Sequence, residues 1–215
     1  MPCKRVITVS ERVVAVIMAA GSSRRFGEQD KRRALLAGGE TLLNASFARA
    51  IEAFTHCRVV LRDTETPAHL GLAEHASVIG VAHADRGLGT SLAEAFATLA
   101  GDPSLADVQA AAILLGDMPA IRADTLRRVQ HMADTAHIIR PRHAGRPGHP
   151  VLFGRDFWPA LTRLDGDSGA RQLLHQHPER YQEIEVDDPG ILLDVDTPAD
   201  LQHHLATPAG DGARR

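Results

Sequence analysis

The sequence predicts an α/β fold in three layers, α/β/α and Rossmann-like, around a mostly parallel central sheet. Two apolar runs predict it first, "VVAVIM" at Val13–Met18 and "AAAILL" at Ala110–Leu115. Neither alternates with polar residues, which is how a strand covered on both faces reads. The third observation lies between and beside them. Short apolar runs alternate with helical segments of about 10–15 residues, the pattern of parallel strands joined by crossover helices.

The elements follow in order. After the first strand, a polar loop runs to about Gly39. Thr41–Phe54 is expected to be helical, with Leu43, Phe47, Ala50, Ile51 and Phe54 on one face. Cys57–Leu61 reads as a second strand, Pro67–His75 as a helix and Ala76–Val81 as a third strand. Glycines in "DRGLGTSLAEAFATLA" break the chain before a helix marked by Leu92, Ala95, Phe96 and Leu99. The strand at Ala110–Leu115 ends at Gly116-Asp117-Met118-Pro119, and a helix follows near Ala123–Met132. Beyond Ala136 the pattern changes to short strands, "HIIRP" and "HPVLF", around a glycine-rich connection. Short helices are expected at Asp156–Leu164 and Ser168–Gln176, then strands at "YQEIEV" and "ILLDV". A closing helix starts with Thr197 as N-cap, Pro198 in the first turn and Asp200 three residues after the cap.

Length and composition bound the function. A chain of 215 residues supports one domain with a substantial core. That domain is expected over 1–207, with 208–215 a disordered tail. Apolar residues make up 44% and charged residues 24%, the balance of a globular protein. A net charge of −3 argues against a nucleic-acid partner. Two cysteines, Cys3 and Cys57, form no metal-binding pair. No apolar run reaches the length of a membrane span, and the N-terminus lacks a signal-peptide core. The expected location is cytoplasmic, with no membrane partner.

In an open parallel sheet ligands collect beyond the carboxyl ends of the strands. Three polar clusters fall there. In "MAAGSSRRFG", Ala19, Ala20 and Gly21 let backbone N–H groups approach a ligand closely and form an anion-binding concavity. Ser22 and Ser23 add donors, and Arg24, Arg25 and Lys31 add positive charge suited to phosphate. The loop is neither a P-loop nor a dinucleotide fingerprint. Its charges alone read better as a solvated face; their place after a buried strand points to a polyphosphate. In the second cluster, Asp117 ends an apolar strand and suits Mg²⁺, which takes one or two carboxylates with phosphate oxygens and water. A turn or capping role is the structural alternative. The third, "LLDVDTPAD", places Asp194 and Asp196 two apart on an expected strand, so on one face and able to meet one metal. His149, at a strand entry, and Asp167 and Ser168, at a helix start, are weaker candidates that turns and caps also explain.

Taken together, the motifs resemble a known family. "MAAGSSRRFG" with Lys31 resembles the signature loop of nucleotidyltransferases related to the molybdenum cofactor enzymes. "LLGDMP" is similar to their metal-binding strand end. "GRPGHPVLF", "LDGDSGARQLL" and "DVDTPADL" look most like the molybdenum cofactor cytidylyltransferase branch of the GT-A-type NTP transferase superfamily. The resemblance runs from about Val13 to Leu205. It implies a fold of the nucleotide-diphospho-sugar transferase type and Mg²⁺-dependent transfer of CMP from CTP to the phosphate of molybdopterin, with release of pyrophosphate.

Carried over by position, the resemblance places Ala19, Ala20 and Gly21 against the nucleotide and Arg24 and Lys31 on its phosphates. Asp117 would hold Mg²⁺, with Asp194 or Asp196 as a second carboxylate. Gly87, Gly89 and Ser91 would border base and ribose, and Gly148, His149, Asp167 and Gly169 would lie on the acceptor side. "AAG" in place of "AGG" favours CTP over GTP. The run "EQDKRRALL" departs from the family, with Asp30 where a proline often precedes the lysine, and with an added Arg32-Arg33 pair. The implied partners are CTP or another NTP, molybdopterin or molybdenum cofactor, and a molybdoenzyme or its chaperone. Two rivals share the motifs: a nucleotidyltransferase for a sugar phosphate or similar acceptor, and a non-catalytic carrier of molybdenum cofactor.

Overall fold

A computed structural model describes residues 11–21, 26, 29–74, 76–167 and 169–206, with side chains up to 202. One sheet in the order β3-β2-β1-β4-β7-β5-β6, with β8 beside β5, runs through it. Its strands are β1 (Val13–Met18), β2 (His56–Arg62), β3 (Val78–Val81), β4 (Ala110–Leu115), β5 (Ile138–His143), β6 (Arg146–Pro147), β7 (Val151–Gly154) and β8 (Tyr181–Glu185). The pairs β1–β2, β2–β3, β1–β4 and β5–β8 are parallel. β7 lies antiparallel to both β4 and β5, and β6 is antiparallel to β5.

All six residues of β1 are buried, as the unalternated run requires. Val13, Ala15 and Ile17 meet Leu43, Phe47 and Ala50 of α1 (Leu42–Ala53) and Leu126 and Val129 of α3 (Ala123–His131). Val14 and Val16 meet Leu92, Phe96 and Leu99 of α2 (Leu88–Ala100) and Trp158 and Leu161 of α4 (Trp158–Leu161). Phe96 and Trp158 close this second layer edge to face, centroids 5.5 Å apart. Each fully buried aliphatic side chain contributes about 1.5–3 kcal/mol, so the two-sided burial of β1 anchors the fold.

Several expectations change. Ile51 is 53% exposed, so the buried face of α1 is narrower than drawn. Pro67–Leu70 forms only one 3₁₀ turn, closed by Gly71 in the left-handed region. The second short helix, expected from Ser168, is α5 (Arg171–Gln176). Ile191–Val195 is not a strand. Pro189–Leu192 winds into a 3₁₀ turn, with Asp188 accepting the Gly190 N–H as its cap. Ile191 and Val195 are buried while Leu193 and Asp194 are exposed. The closing helix, α6 (Pro198–Ala206), has its expected cap: Thr197 Oγ1 accepts from Asp200 N at 3.2 Å, and Asp200 Oδ2 accepts from Thr197 N at 2.7 Å. Residues 208–215 and Ser168 lie outside the described residues.

The strand order sets the site. From β1 the chain moves through β2 to β3 on one side, then returns to place β4 on the other. Loops leaving β1 and β4 therefore part at a topological switch point, where open α/β sheets bind ligands.

Candidate active site

β1 and β4 end side by side, with Met18 paired to Leu115. Beyond them Gly116 N donates to Met18 O at 3.0 Å, drawing the two loops together. A side chain at Gly116 would make Leu43 and Ala19 shift, since an added Cβ would stand 2.9 Å from Leu43 Cδ1 and 3.1 Å from Ala19 Cβ. This close approach brings Asp117 next to Ala19–Gly21. A cavity of 360 Å³ opens there, with Ala19, Ala20, Gly21, Lys31 and Asp117 in its wall.

Lys31 starts a 3₁₀ turn, Lys31–Arg33, whose N-cap is Asp30. Its ammonium donates to Asp117 Oδ2 at 2.5 Å and to Asp196 Oδ1 at 2.8 Å. Asp196 arrives there because Val195 N donates to Asp117 O at 3.0 Å, tying the segment before α6 to the end of β4. Burial works against the Lys31 charge, but Asp117 and Asp196 outweigh it and raise its pKa. Burial pushes the Asp117 carboxyl up and Lys31 pulls it back, while Asp194 and Asp196 add to the rise. Asp117 Oδ1 is buried and has no hydrogen-bond partner among the described residues. An oxygen left so costs free energy unless a ligand completes it. Among the described residues, no group of three or more His, Cys, Asp or Glu side chains forms a metal site of its own.

Residues 15–181 match the family described as the MobA-like NTP transferase domain. The chain belongs to that family. It is a nucleotidyltransferase. It is 25% identical to the molybdenum cofactor cytidylyltransferase of Escherichia coli K12 over 188 residues, 86% of this chain and 92% of that one. It is 28% identical to the purine catabolism protein PucB of Bacillus subtilis 168 over 201 residues, 88% and 94% of the two chains. Among solved structures, Rv0371c of Mycobacterium tuberculosis H37Rv superposes with a TM-score of 0.78 at 30% identity, covering 91% of this chain and 98% of its own. The same protein in complex with manganese gives a TM-score of 0.72 at 28% identity, covering 90% and 98%.

The remaining predicted site residues of this MobA-like transferase fall into three groups. Gly87, Ser91 and Asp167 line the cavity with Ala19–Gly21, Lys31 and Asp117. Gly87 has φ 114° and lies so near the Gly166–Asp167 turn that an added Cβ would meet Asp167 Oδ1 at 2.2 Å. Gly89, Gly148, His149, Gly169, Asp194 and Asp196 stand outside the lining. Gly89 packs under the same turn, its N–H donating to Gly166 O at 2.7 Å. Asp194 is exposed and influences Asp117 only through its charge; without the expected strand, it and Asp196 do not share a face by alternation. Ser22, Ser23 and Arg24 lie outside the described residues.

Gly148 is pressed against Ile191, and His149 N donates to Ile191 O at 2.9 Å. The His149 ring sits beside the Ile113 backbone, two residues before the end of β4. Burial first, then the charges of Arg140 and Arg171, lower its pKa to about 4, so the imidazole is neutral at ordinary pH. Its Nδ1 is buried without a partner among the described residues.

Sequence reasoning missed Arg32. It is 8% exposed and borders the cavity. Its carboxylate partners are Asp30, two residues away, and Glu65, in the turn after β2. Asp30 was visible as a neighbour, but nothing local announces Glu65. Among the described residues no helix is long and apolar enough to cross a membrane.

Proposed function

We propose that this MobA-like transferase moves CMP from CTP to the phosphate of molybdopterin, with Mg²⁺ bound at Asp117. The observation that carries the reading is the Asp117–Lys31–Asp196 cluster, with Oδ1 of Asp117 buried and unmatched beside a cavity bounded by the glycine-containing turn after β1. The donor set fits Mg²⁺, which takes one or two carboxylates and completes its shell with phosphate oxygens and water. The manganese complex of Rv0371c supports a divalent ion in this family. Asp117 would hold the ion, with Asp194 or Asp196 as second carboxylate. When bound, the ion would neutralise charge developing on the phosphates.

The chain's own work is positioning and charge. Ala19–Gly21, Ser22 and Ser23 would receive the nucleotide through backbone N–H and hydroxyl donors. Gly87, Gly89 and Ser91 would border its base and ribose. Lys31, whose ammonium already lies at the cavity wall, would turn to the β and γ phosphates with Arg24 and stabilise the departing pyrophosphate. The acceptor phosphate is ionised near neutral pH, so its oxygen attacks the α-phosphorus in line without a strong general base. Gly148, His149, Asp167 and Gly169 would form the acceptor side.

The name of the Escherichia coli relative supports CTP and molybdenum cofactor. The name of the Bacillus subtilis relative, at slightly higher identity, supports a second reading in which the same transfer serves another small acceptor. Pyrophosphate release from a panel of NTPs with molybdopterin and with sugar phosphates decides between them. CTP with molybdopterin is expected to turn over best. Turnover with a sugar phosphate and none with molybdopterin would replace the leading reading with the second.

A further inference from the structure

Arg32 stands beside the nucleotide cavity, yet its guanidinium is fully engaged by the protein. Nη1 donates to Ala19 O at 2.6 Å and to Glu65 Oε2 at 2.9 Å. Nη2 donates to Asp30 Oδ2 at 2.7 Å and to Glu65 Oε1. Nε donates to Asp30 Oδ1 at 2.9 Å. A guanidinium has five N–H donors, and all five are used here. Two carboxylates also raise its pKa against the effect of burial, so the charge is permanent. Arg32 therefore has no donor left for a phosphate. Its neighbour Lys31 points the other way, to Asp117 and Asp196.

The contact that reaches the site is the one to Ala19 O. Ala19 N is also fixed, donating to Val60 O at 3.0 Å as the last rung between β1 and β2. The peptide joining Ala19 to Ala20 is planar and trans, so its C=O and N–H point in opposite directions. Holding the carbonyl toward Arg32 aims the Ala20 N–H away from Arg32. Glu65 is itself anchored, since its Oε2 accepts from Arg62 N at 3.0 Å. The orientation of this peptide is thus referred to the end of β2, a rigid part of the sheet.

We infer that Arg32 is a positioning residue: braced by Asp30 and Glu65, it holds the Ala19 carbonyl out of the nucleotide site and so aims the Ala20 N–H as a donor to nucleotide phosphate. Without it the peptide is free to rotate, and a flipped Ala19 carbonyl would present a partial negative charge where an anion is to bind. This inference rests on the proposed nucleotide-binding role of Ala19–Gly21.

The test uses the full chain and two readouts. In nucleotide-free protein, Arg32→Met is expected to move the Ala20 amide ¹H–¹⁵N resonance while leaving those of the β4 interior in place. In calorimetry with CTP and Mg²⁺, the same variant is expected to raise Kd about tenfold, the loss of one charge-assisted hydrogen bond's worth of organisation. Arg32→Lys keeps the charge between Asp30 and Glu65 but loses the fork. It is the version to use if Arg32→Met does not fold, and it is expected to move both readouts in the same direction. A folded variant with wild-type Kd overturns the inference, whatever its melting temperature. If the wild-type chain binds no nucleotide, the proposed function fails instead, and an unmoved Ala20 resonance would independently remove Arg32 from control of the peptide.

Discussion

Asp188 and Asp117 are both carboxylates withdrawn from water, and their surroundings differ atom by atom. Asp188 is 2% exposed; its Oδ2 accepts from Arg122 N at 2.9 Å, its Oδ1 from Gly190 N at 3.0 Å, and the Arg122 guanidinium lies 3.4 Å away. Asp117, a residue of the cavity wall, meets the Lys31 ammonium with Oδ2 and leaves Oδ1 buried and unmatched. A buried carboxylate whose oxygens both meet backbone N–H groups is a fastening of the fold. One that keeps an oxygen unmatched carries a cost that a ligand or an ordered water relieves.

The comparison breaks most readily at Asp117. Asp117→Asn is expected to lower kcat for pyrophosphate release by about 10²–10³-fold, the scale of losing one preorganised electrostatic contact to a reacting phosphate. Its stability is expected to hold. Burial raises the Asp117 pKa in the folded chain, so its stabilising share is present below the unfolded pKa and lost as pH rises through the folded one. The amide keeps the size of the group and an oxygen that can accept from the Lys31 ammonium, which also retains Asp196. A fall in melting temperature without loss of turnover would place Asp117 with Asp188 as a fastening.

Asp188→Ala is expected to do the reverse. It strands the Arg122 and Gly190 N–H groups and costs about 3 kcal/mol in denaturant unfolding. Turnover per folded molecule should stay within a factor of about two of wild type, because the group is matched by the fold alone. Loss of turnover at full stability would reverse the assignment.

His149 sharpens the comparison, because it too has a buried atom without a partner. Its pKa falls from 6.5 to about 4 on folding through burial and then Arg140 and Arg171. A depressed histidine contributes stability that is present above the unfolded pKa and lost as pH falls toward the folded one. Between pH 6.5 and 4 wild type should therefore lose about 3 kcal/mol more than His149→Gln, read from denaturant midpoints on the two proteins. Parallel pH profiles would show that the imidazole is not held neutral.

The sequence made the β1–β4 half of the sheet readable because β1 and β4 are covered on both faces. No polar residue can interrupt such strands, and their ends carry the loops that matter. The short run "ILL" misled for the same reason. Ile191 is as buried as any strand residue, but Pro189 and Gly190 bend the chain, and the Gly190 N–H goes to Asp188 instead of a ladder. Lys31 and Asp117 stood out by their place after buried strands. Arg32 did not, because its meaning depends on Glu65, 33 positions away, and a run of basic residues reads as a solvated face until the fold buries one of them. Nor did the sequence show that Gly89 serves the Gly166 carbonyl, a contact made only when the two distant turns meet.

β7 runs against β4, pairing Ile113 with Val151. The reversal brings the entrance of β7, at Gly148 and His149, to the same end of the sheet as the exit of β4. The β5–β6 ribbon that feeds this entrance hangs at the margin of the sheet, apart from the β1–β4 crossovers. Lengthening or recoding that ribbon would reshape the surface beside the exit of β4 while leaving the cavity lining and its scaffold untouched. One half of the molecule can thus diversify while the other stays constant.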